Sequence, residues 1–377
     1  MYKKKIAVIF GGNSTEYEVS LQSAFAVLSN INSNDFDIIP VGITRDGEWY
    51  HYTGKYNKIP DNTWTEDGKE LIPVVVSQNR SVKGLLELVN GMYKTIKINL
   101  AFPVLHGKNG EDGTLQGLFE LAGIPVAGCG TLSSALCMDK DRAHKIAHLA
   151  GISVPKSLKF IIPGNKEENR TIKSMDKTNK NCQKDRKKTY NGLTKEIKQK
   201  IKEEIGFPVF IKPIHSGSSF GITKVNSKDE LDTAIELALL HDTEIIAEET
   251  VNGFETGCAI LGNDELFVGR VDEIELSGNF FDYKEKYTLE TSRIYMPARI
   301  STETEERIKK AAVTIYKALG CSGFARVDMF LTPSGEIIFN EVNTIPGFTS
   351  HSRFPNMMKG AGLSFAAMLD KLVRLYI

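Results

Sequence analysis

Near the C-terminal end of the sequence, Arg326-Val327-Asp328 and Glu341-Val342-Asn343 group the residue types that handle phosphate. As two antiparallel strands joined by a turn at Thr332-Pro333-Ser334-Gly335, they bring together one guanidinium, two carboxylates and a carboxamide. Hard oxygen donors of this kind suit Mg²⁺ held against phosphate. An arginine beside them can offset charge on a transferring phosphoryl group or a developing oxyanion. The plain alternative is a surface hairpin with solvated charges. The rest of both strands is apolar (Val327, Met329, Phe330, Ile337, Ile338, Phe339), and charges set into such strands need partners. The hairpin therefore predicts phosphoryl chemistry with ATP and Mg²⁺.

A second stretch fits the same ligand. Pro208-Val-Phe-Ile-Lys212-Pro213 reads as a strand ending in a lysine, and His215-Ser216-Gly217-Ser218-Ser219-Phe220-Gly221 follows as a glycine/serine turn. Backbone N–H groups of such a turn can wrap phosphate oxygens. The Walker A pattern is absent. Two further turns place polar groups at strand ends. Gly11 to Ser20 carries Glu16 and Glu18; either could hold a substrate ammonium, or merely favour a helix N-terminus through its dipole. Val104 to Gly113 carries His106, whose role as a structural or a functional histidine stays open. The segment Phe280 to Ile294 is long, charged and aromatic, as a lid would be. Cys/His zinc spacing and a GxSxG elbow are both missing.

These residues need a scaffold of more than one core. At 377 residues the chain is long for a single core, and 41% hydrophobic with 25% charged residues is ordinary for a globular protein. Lysine plus arginine equals aspartate plus glutamate at 47 each, which gives no electrostatic case for nucleic acid or an anionic membrane. No apolar run approaches the roughly 18 residues that would span a bilayer. The start, Met1 to Gly11, reads as a first strand and not as a signal peptide. Five widely spaced cysteines without CxxC predict reduced thiols in a cytoplasmic protein, with Cys137, Cys258 and Cys321 as core residues.

Strand, Gly11-Gly12 turn and a helix from about Ser20 predict an open α/β sheet, with ligands at the carboxyl ends of strands. Further strands are expected at Asp37–Ile43, Pro73–Val76 and Asn99–His106, and a helix from Thr114. Beyond residue 131 the pattern predicts a helix over Lys140–Ala150, strands near 157, 208, 222 and 243, and helices near 228–240, 304–319 and after Ser364. The expected domains are 1–130, 131–248 and 249–377. Residues 164–194 are a polar excursion; within 165–188 nine Lys/Arg stand against four Asp/Glu, which predicts a solvated insertion.

Taken in order, Gly11-Gly12-x-Ser-x-Glu16-x-Glu-Val-Ser, His106-Gly-x-x-Gly-Glu-Asp-Gly, Met138-Asp139-Lys140, Lys212-Pro-x-x-x-Gly-Ser-Ser, Glu285-Lys286-Tyr287, Arg326-Val-Asp328 and Glu341-Val-Asn343-Thr-x-Pro-Gly347 resemble the D-alanine-D-alanine ligases, which are ATP-grasp enzymes. The resemblance covers nearly the whole chain apart from the basic excursion. It implies a three-domain α/β ATP-grasp fold with an N-terminal open α/β domain. Glu16 would pair with the ammonium of a first D-alanine, with His106 nearby. Lys140, Lys212, Ser219 and Lys286 would meet the nucleotide phosphates, Glu255 the ribose and Glu248 the adenine end. Asp328, Glu341 and Asn343 would bind Mg²⁺ or Mn²⁺, as two ions. Arg326 and the Gly347 N–H would stabilise the oxyanion, while Ser218 and Tyr287 would link the lid to Glu16. A cytoplasmic homodimer acting in peptidoglycan synthesis is implied as well.

Within the family, Phe281-Asp-Tyr-Lys-Glu-Lys-Tyr-Thr-Leu, Ile294-Tyr-Met-Pro-Ala and Thr349-Ser-His-Ser352-Arg353-Phe-Pro are similar to the vancomycin-resistance ligases of VanG type, which make D-alanyl-D-serine. That likeness implies Ser352 and Arg353 as a polar wall for the second substrate, D-serine. A housekeeping ligase that joins two D-alanines is the alternative.

Overall fold

The structure, a computed structural model, describes residues 3–162, 195–217, 220–276 and 292–377. The basic excursion and the expected lid as far as Thr291 fall outside these residues, while the lid's last three residues, Ser292 to Ile294, form part of a strand.

The chain begins with β1 (Lys4–Gly11), α1 (Tyr17–Asn30) and β2 (Phe36–Ile43). Then come β3 (Trp49–Tyr52), β4 (Leu71–Val76), β5 (Gly84–Val89), β6 (Met92–Lys97) and β7 (Leu100–Pro103). They form one seven-stranded sheet in the order β6-β5-β4-β3-β2-β1-β7. Its centre is parallel, with β1 between β2 and β7, and its far side is an antiparallel meander. Near-continuous apolar sequence in β1 matches its burial on both faces, since Ile6 to Phe10 are wholly buried. The turn to α1 needs glycine: at Gly11 φ is +87°, and a Cβ there would lie 2.1 Å from the Ile43 carbonyl oxygen.

Helices α2 (Thr114–Ala122), α3 (Thr131–Met138) and α4 (Lys140–Leu149) lead to a four-stranded antiparallel sheet. It is built from β8 (Ser157–Ile161), β9 (Val209–Pro213), β10 (Thr223–Val225) and, after α5 (Leu231–Leu239), β11 (Glu244–Glu249), in the order β10-β9-β11-β8. The last sheet holds β12 (Phe254–Gly262), β13 (Leu266–Leu276), β14 (Ser292–Tyr295) and, after α6 (Thr302–Ala318), β15 (Phe324–Leu331) and β16 (Ile337–Asn343). It is antiparallel, in the order β14-β13-β12-β15-β16. Helices α7 (Arg353–Gly360) and α8 (Phe365–Arg374) close the chain.

The first and last sheets share a core. Phe102 on β7 meets Phe324 on β15 and Phe348 in the loop after β16, with ring centroids 6.3 and 6.0 Å away, and Phe348 meets Phe354 on α7 at 5.8 Å. This aromatic cluster anchors the loop that carries Gly347. Cys129, Cys137 and Cys258 are buried free thiols and Cys321 is half-buried; Cys182 lies outside the described residues.

The strands expected near 37, 73, 99, 157, 208, 222 and 243 are present, and α1 starts at Tyr17, earlier than about Ser20. Strand β3, the β5–β6 hairpin, α3, strands β12, β13 and β14, and α7 went unread. The hairpin had a local signal: Asn90-Gly91, with φ of 50° and 75°, is the dipeptide that a tight primed turn requires. Among the described residues, no helix is long and apolar enough to cross a membrane.

Candidate active site

Between the four-stranded and five-stranded sheets lies a cleft of about 780 Å³, and Lys140, Lys212, Glu248, Glu255 and Glu341 all line it. Lys212 lies one residue from the end of β9 opposite Ile246, and Glu248 lies two residues further along β11 on the same face, so the two meet diagonally in a buried ion pair. Burial works to raise the Glu248 carboxyl, but Lys212, His144 and Lys140 outweigh it and hold the group below its usual range. Lys140, at the start of α4, donates to the Ser216 carbonyl at 2.6 Å and so touches the turn after Lys212.

The hairpin predicted from sequence is β15–β16. Arg326 stands opposite Asn343 and Asp328 opposite Glu341, with an irregularity of register just after Asp328. Such a step locally re-aims side chains. Alternation along each strand puts Arg326 and Asp328 on one face. The Arg326 guanidinium takes Asp328 in a two-pronged grip, Nε to Oδ1 at 2.8 Å and Nη2 to Oδ2 at 2.7 Å, and the Asn343 amide donates to Oδ2 at 2.8 Å. Asp328 is buried. Two carboxylates and an amide oxygen from facing strands at the cleft edge are a donor set that fits Mg²⁺ or Mn²⁺. Among the described residues, no group of three or more His, Cys, Asp or Glu side chains is placed to hold a metal by itself.

Arg353, at the start of α7, is buried and surrounded by carboxylates. Its Nε and Nη2 reach Asp272 on β13 at 2.7 and 2.8 Å, and its Nη1 reaches Glu255 on β12 at 2.8 Å. The same Nη1 lies 3.4 Å from Asp328 Oδ1. Glycine at 257 makes room for this network: a Cβ there would lie 2.4 Å from Arg353 Nη2 and 2.8 Å from Asp272 Oδ1. Ser352 folds its hydroxyl back on the loop, accepting from the Thr349 N–H at 3.0 Å; a Cβ on Gly347 would lie 2.8 Å from that oxygen.

Glu16, just before α1, is buried beneath two glycines. A Cβ on Gly107 would come within 2.3 Å of its Oε2, and one on Gly217 within 3.1 Å. The carboxylate thus sits where the turn after β7 meets the turn after β9. Glu111 bridges the same region, accepting from the Gly107 N–H at 2.8 Å and the Ile345 N–H at 3.1 Å. Burial first, then the Glu16 and Glu341 charges, push its carboxyl up to about 8. His106 has both ring nitrogens engaged: Nδ1 lies 2.9 Å from the Ile345 carbonyl and Nε2 3.2 Å from Ser23 Oγ. Burial pulls its pKa down to about 4, so the ring is neutral, with Nδ1–H donating to Ile345 and Nε2 accepting from Ser23. Ser23 Oγ in turn accepts from the Phe348 N–H at 3.2 Å. Residues of α1 and of the loop after β7 therefore grip both flanks of Gly347.

The structure groups Arg326, Asp328, Asn343, Arg353 and Glu255 in one network, and Lys140, Lys212, Glu248, Glu255 and Glu341 around one cleft. Ser218, Ser219, Lys286 and Tyr287 lie outside the described residues. Sequence reasoning missed Asp272, Glu111 and Ser23. Glu111 stood inside the His106 motif; nothing local marks the other two.

Sheets, cleft and acidic hairpin together are those of a carboxylate-amine ligase, and the chain belongs to the D-alanine-D-alanine ligase family. The family's N-terminal part (D-ala D-ala ligase N-terminus) matches residues 5–129 and its C-terminal part (D-ala D-ala ligase C-terminus) residues 174–374. These are ATP-dependent ligases of ATP-grasp fold that use a divalent metal. The chain is similar to the VanG D-Ala:D-Ser ligase from Enterococcus faecalis, a solved structure 68% identical with a TM-score of 0.85, covering 100% of both chains. It is 43% identical to a D-alanine--D-alanine ligase of Caldicellulosiruptor bescii over 100% of this chain and 96% of that one. Vancomycin B-type resistance protein VanB of Enterococcus faecalis is 44% identical over 100% of this chain and 99% of its own.

Proposed function

We propose that this chain joins D-alanine to D-serine with ATP, through a D-alanyl phosphate, for modified peptidoglycan precursors and vancomycin resistance. The full-length likeness to the VanG D-Ala:D-Ser ligase supports this reading. The structural observation that carries it is the buried Arg353–Asp272 pair beside the Gly347–Ser352 loop. An apolar pocket rejects an added hydroxyl only about 100-fold, whereas a polar one can discriminate strongly against the analogue that lacks it. Four of the five Arg353 N–H groups face carboxylates, and one on Nη2 remains for a substrate hydroxyl or a supporting group.

In the first step a D-alanine carboxylate oxygen attacks the γ-phosphorus of ATP, and the bond to ADP breaks. The D-serine amine, having given up a proton, then attacks the acyl carbon, and inorganic phosphate leaves. Glu16 holds the first ammonium, and His106 positions the loop that presents the Gly347 N–H. That N–H and Arg326 face the tetrahedral oxyanion; one such donor is typically worth about 3 kcal/mol. Lys140 and Lys212, with Ser219 and Lys286, offset phosphate charge, while Glu248 and Glu255 take the adenine and ribose. Asp328, Glu341 and Asn343 would hold Mg²⁺ or Mn²⁺, which supplies positive charge to the phosphate oxygens when bound. By the family likeness Ser218 and Tyr287 would link the lid to Glu16, which would keep water from the acylphosphate. The same reading puts the enzyme in the cytoplasm, where its ATP is, as a homodimer.

The second reading is a ligase of two D-alanines, favoured by the engagement of most Arg353 donors within the protein. Turnover with ATP and equal concentrations of D-alanine and D-serine, followed by product mass, separates the two. D-alanyl-D-serine is the expected main product; D-alanyl-D-alanine as the main product overturns the proposal.

A further inference from the structure

In the proposed nucleotide site the turn after Lys212 presents its backbone to phosphate, so the placement of its first residues, His215 to Gly217, matters. Two neighbouring residues of α4 and its cap hold it. Lys140 Nζ donates to the Ser216 carbonyl at 2.6 Å, and Asp139 Oδ2 lies 3.2 Å from His215 Nε2. From behind, Asp242 Oδ2 takes both the His215 backbone N–H and Nδ1, each at 2.8 Å. Both anchors are themselves fixed. Asp139 caps α4, accepting from the Arg142 N–H at 2.9 Å, and Asp242 Oδ1 accepts from the Thr243 N–H at 2.7 Å.

We propose that His215 is a positioning residue for the phosphate-binding turn, its ring tying that turn both to Asp242 behind β11 and to Asp139 at the head of the helix that carries Lys140. One bridge then sets the two lysines of the nucleotide cleft relative to each other. The proposal rests on the reading that ATP occupies that cleft.

A ring bonded to a carboxylate through each nitrogen must carry both protons. The hydrogen bonds that the ring donates to Asp139 and then to Asp242, against burial, raise the His215 pKa to about 9. Arg142 also binds Asp139, and Asp141 on the same helix and Glu244 on β11 act on Arg142 in turn. Lys108, Asp112 and His241 line the cleft of about 540 Å³ on the far side of the ring. The His215 side chain is 40% exposed there, so solvent protons can reach it. The bridge is complete at pH 7 and is lost as pH rises through about 9.

Three measurements test this. In the full-length protein, ¹⁵N NMR of the imidazoles should show one ring titrating near 9 and absent from His215→Ala; no such ring, with His215 titrating near its ordinary value of about 6.5, overturns the proposal. By calorimetry at pH 7.5, His215→Ala should bind ADP about tenfold more weakly, with KM for ATP raised more than kcat is lowered. His215→Arg, which keeps a cation between the two aspartates, should restore ADP affinity and remove its decline from pH 7.5 to 9.5. Wild-type ADP affinity in His215→Ala, or no rescue by His215→Arg in a protein that melts normally, also overturns it. Absence of D-alanine-dependent phosphate release from the unaltered protein would instead defeat the functional reading.

Discussion

Arg353 and Asp272 form a two-pronged ion pair buried at the junction of α7 and β13, with bonds of 2.7 and 2.8 Å. Through Arg353 the pair continues to Glu255 at the cleft between the second and third sheets and to Asp328 at the acidic hairpin. The residue proposed to favour D-serine is thus also a strut of the catalytic sheet, and the two roles can be separated by mutation. Arg353→Leu leaves Asp272 buried without its partner, which should cost about 3–5 kcal/mol of stability. Arg353→Leu with Asp272→Leu should recover most of that, since a buried pair replaced by apolar groups is often near neutral. Denaturant melts read the stability. Product mass reads the selectivity: both variants should shift toward D-alanyl-D-alanine, and an unchanged product ratio in both would remove Arg353 from the specificity pocket.

How much of this was legible before folding depended on sequence distance. Arg326, Asp328, Glu341 and Asn343 belong to one hairpin, and a turn of four residues with alternating strands was enough to bring them together. Lys212 was legible because a strand end followed by a Gly/Ser turn is a local pattern. Asp272 was not: its neighbours along β13 look like any edge charge, and its meaning comes from Arg353, 81 residues away. Gly257 carries that meaning too, as the gap in β12 that the pair fills, but a glycine inside a strand has many local explanations. For Glu16 the sequence left a helix-dipole role and a site role open, and it could not show that the distant Gly107 and Gly217 backbones close over the carboxylate.

His106 gives a pH signature. Burial holds its pKa near 4, against 6.5 for the free side chain, so the folded ring stays neutral while the unfolded one takes up a proton. The stability this contributes is complete above about pH 6.5 and is lost as pH falls toward 4. The shift corresponds to at most about 3 kcal/mol. In His106→Gln no proton is taken up at this position, so melting temperature should vary less between pH 6.5 and 4 than in the unaltered protein. Parallel profiles for the two proteins would mean that other groups set the acid limb. The same variant should lower turnover, because the ring's bond to Ile345 helps to fix the loop on which Gly347 sits.

Glu341 tests the metal assignment. It faces Asp328 across the hairpin and lines the cleft, and Asp328 is held by Arg326 and Asn343. A metal that uses both carboxylates would draw on Asp328 in competition with the guanidinium and on Glu341 from the cleft side. Loss of a group that merely supports a metal ligand costs about 10–100-fold, so loss of a ligand itself should cost at least about a hundredfold in D-amino-acid-dependent ATP consumption. Glu341→Ala should show that loss, and Glu341→Asp should recover part of the rate at raised Mg²⁺. In the unaltered enzyme EDTA should abolish turnover and Mg²⁺ or Mn²⁺ should restore it. ATP consumption by Glu341→Ala at the native rate, with an unchanged Mg²⁺ dependence, would take the metal away from this hairpin.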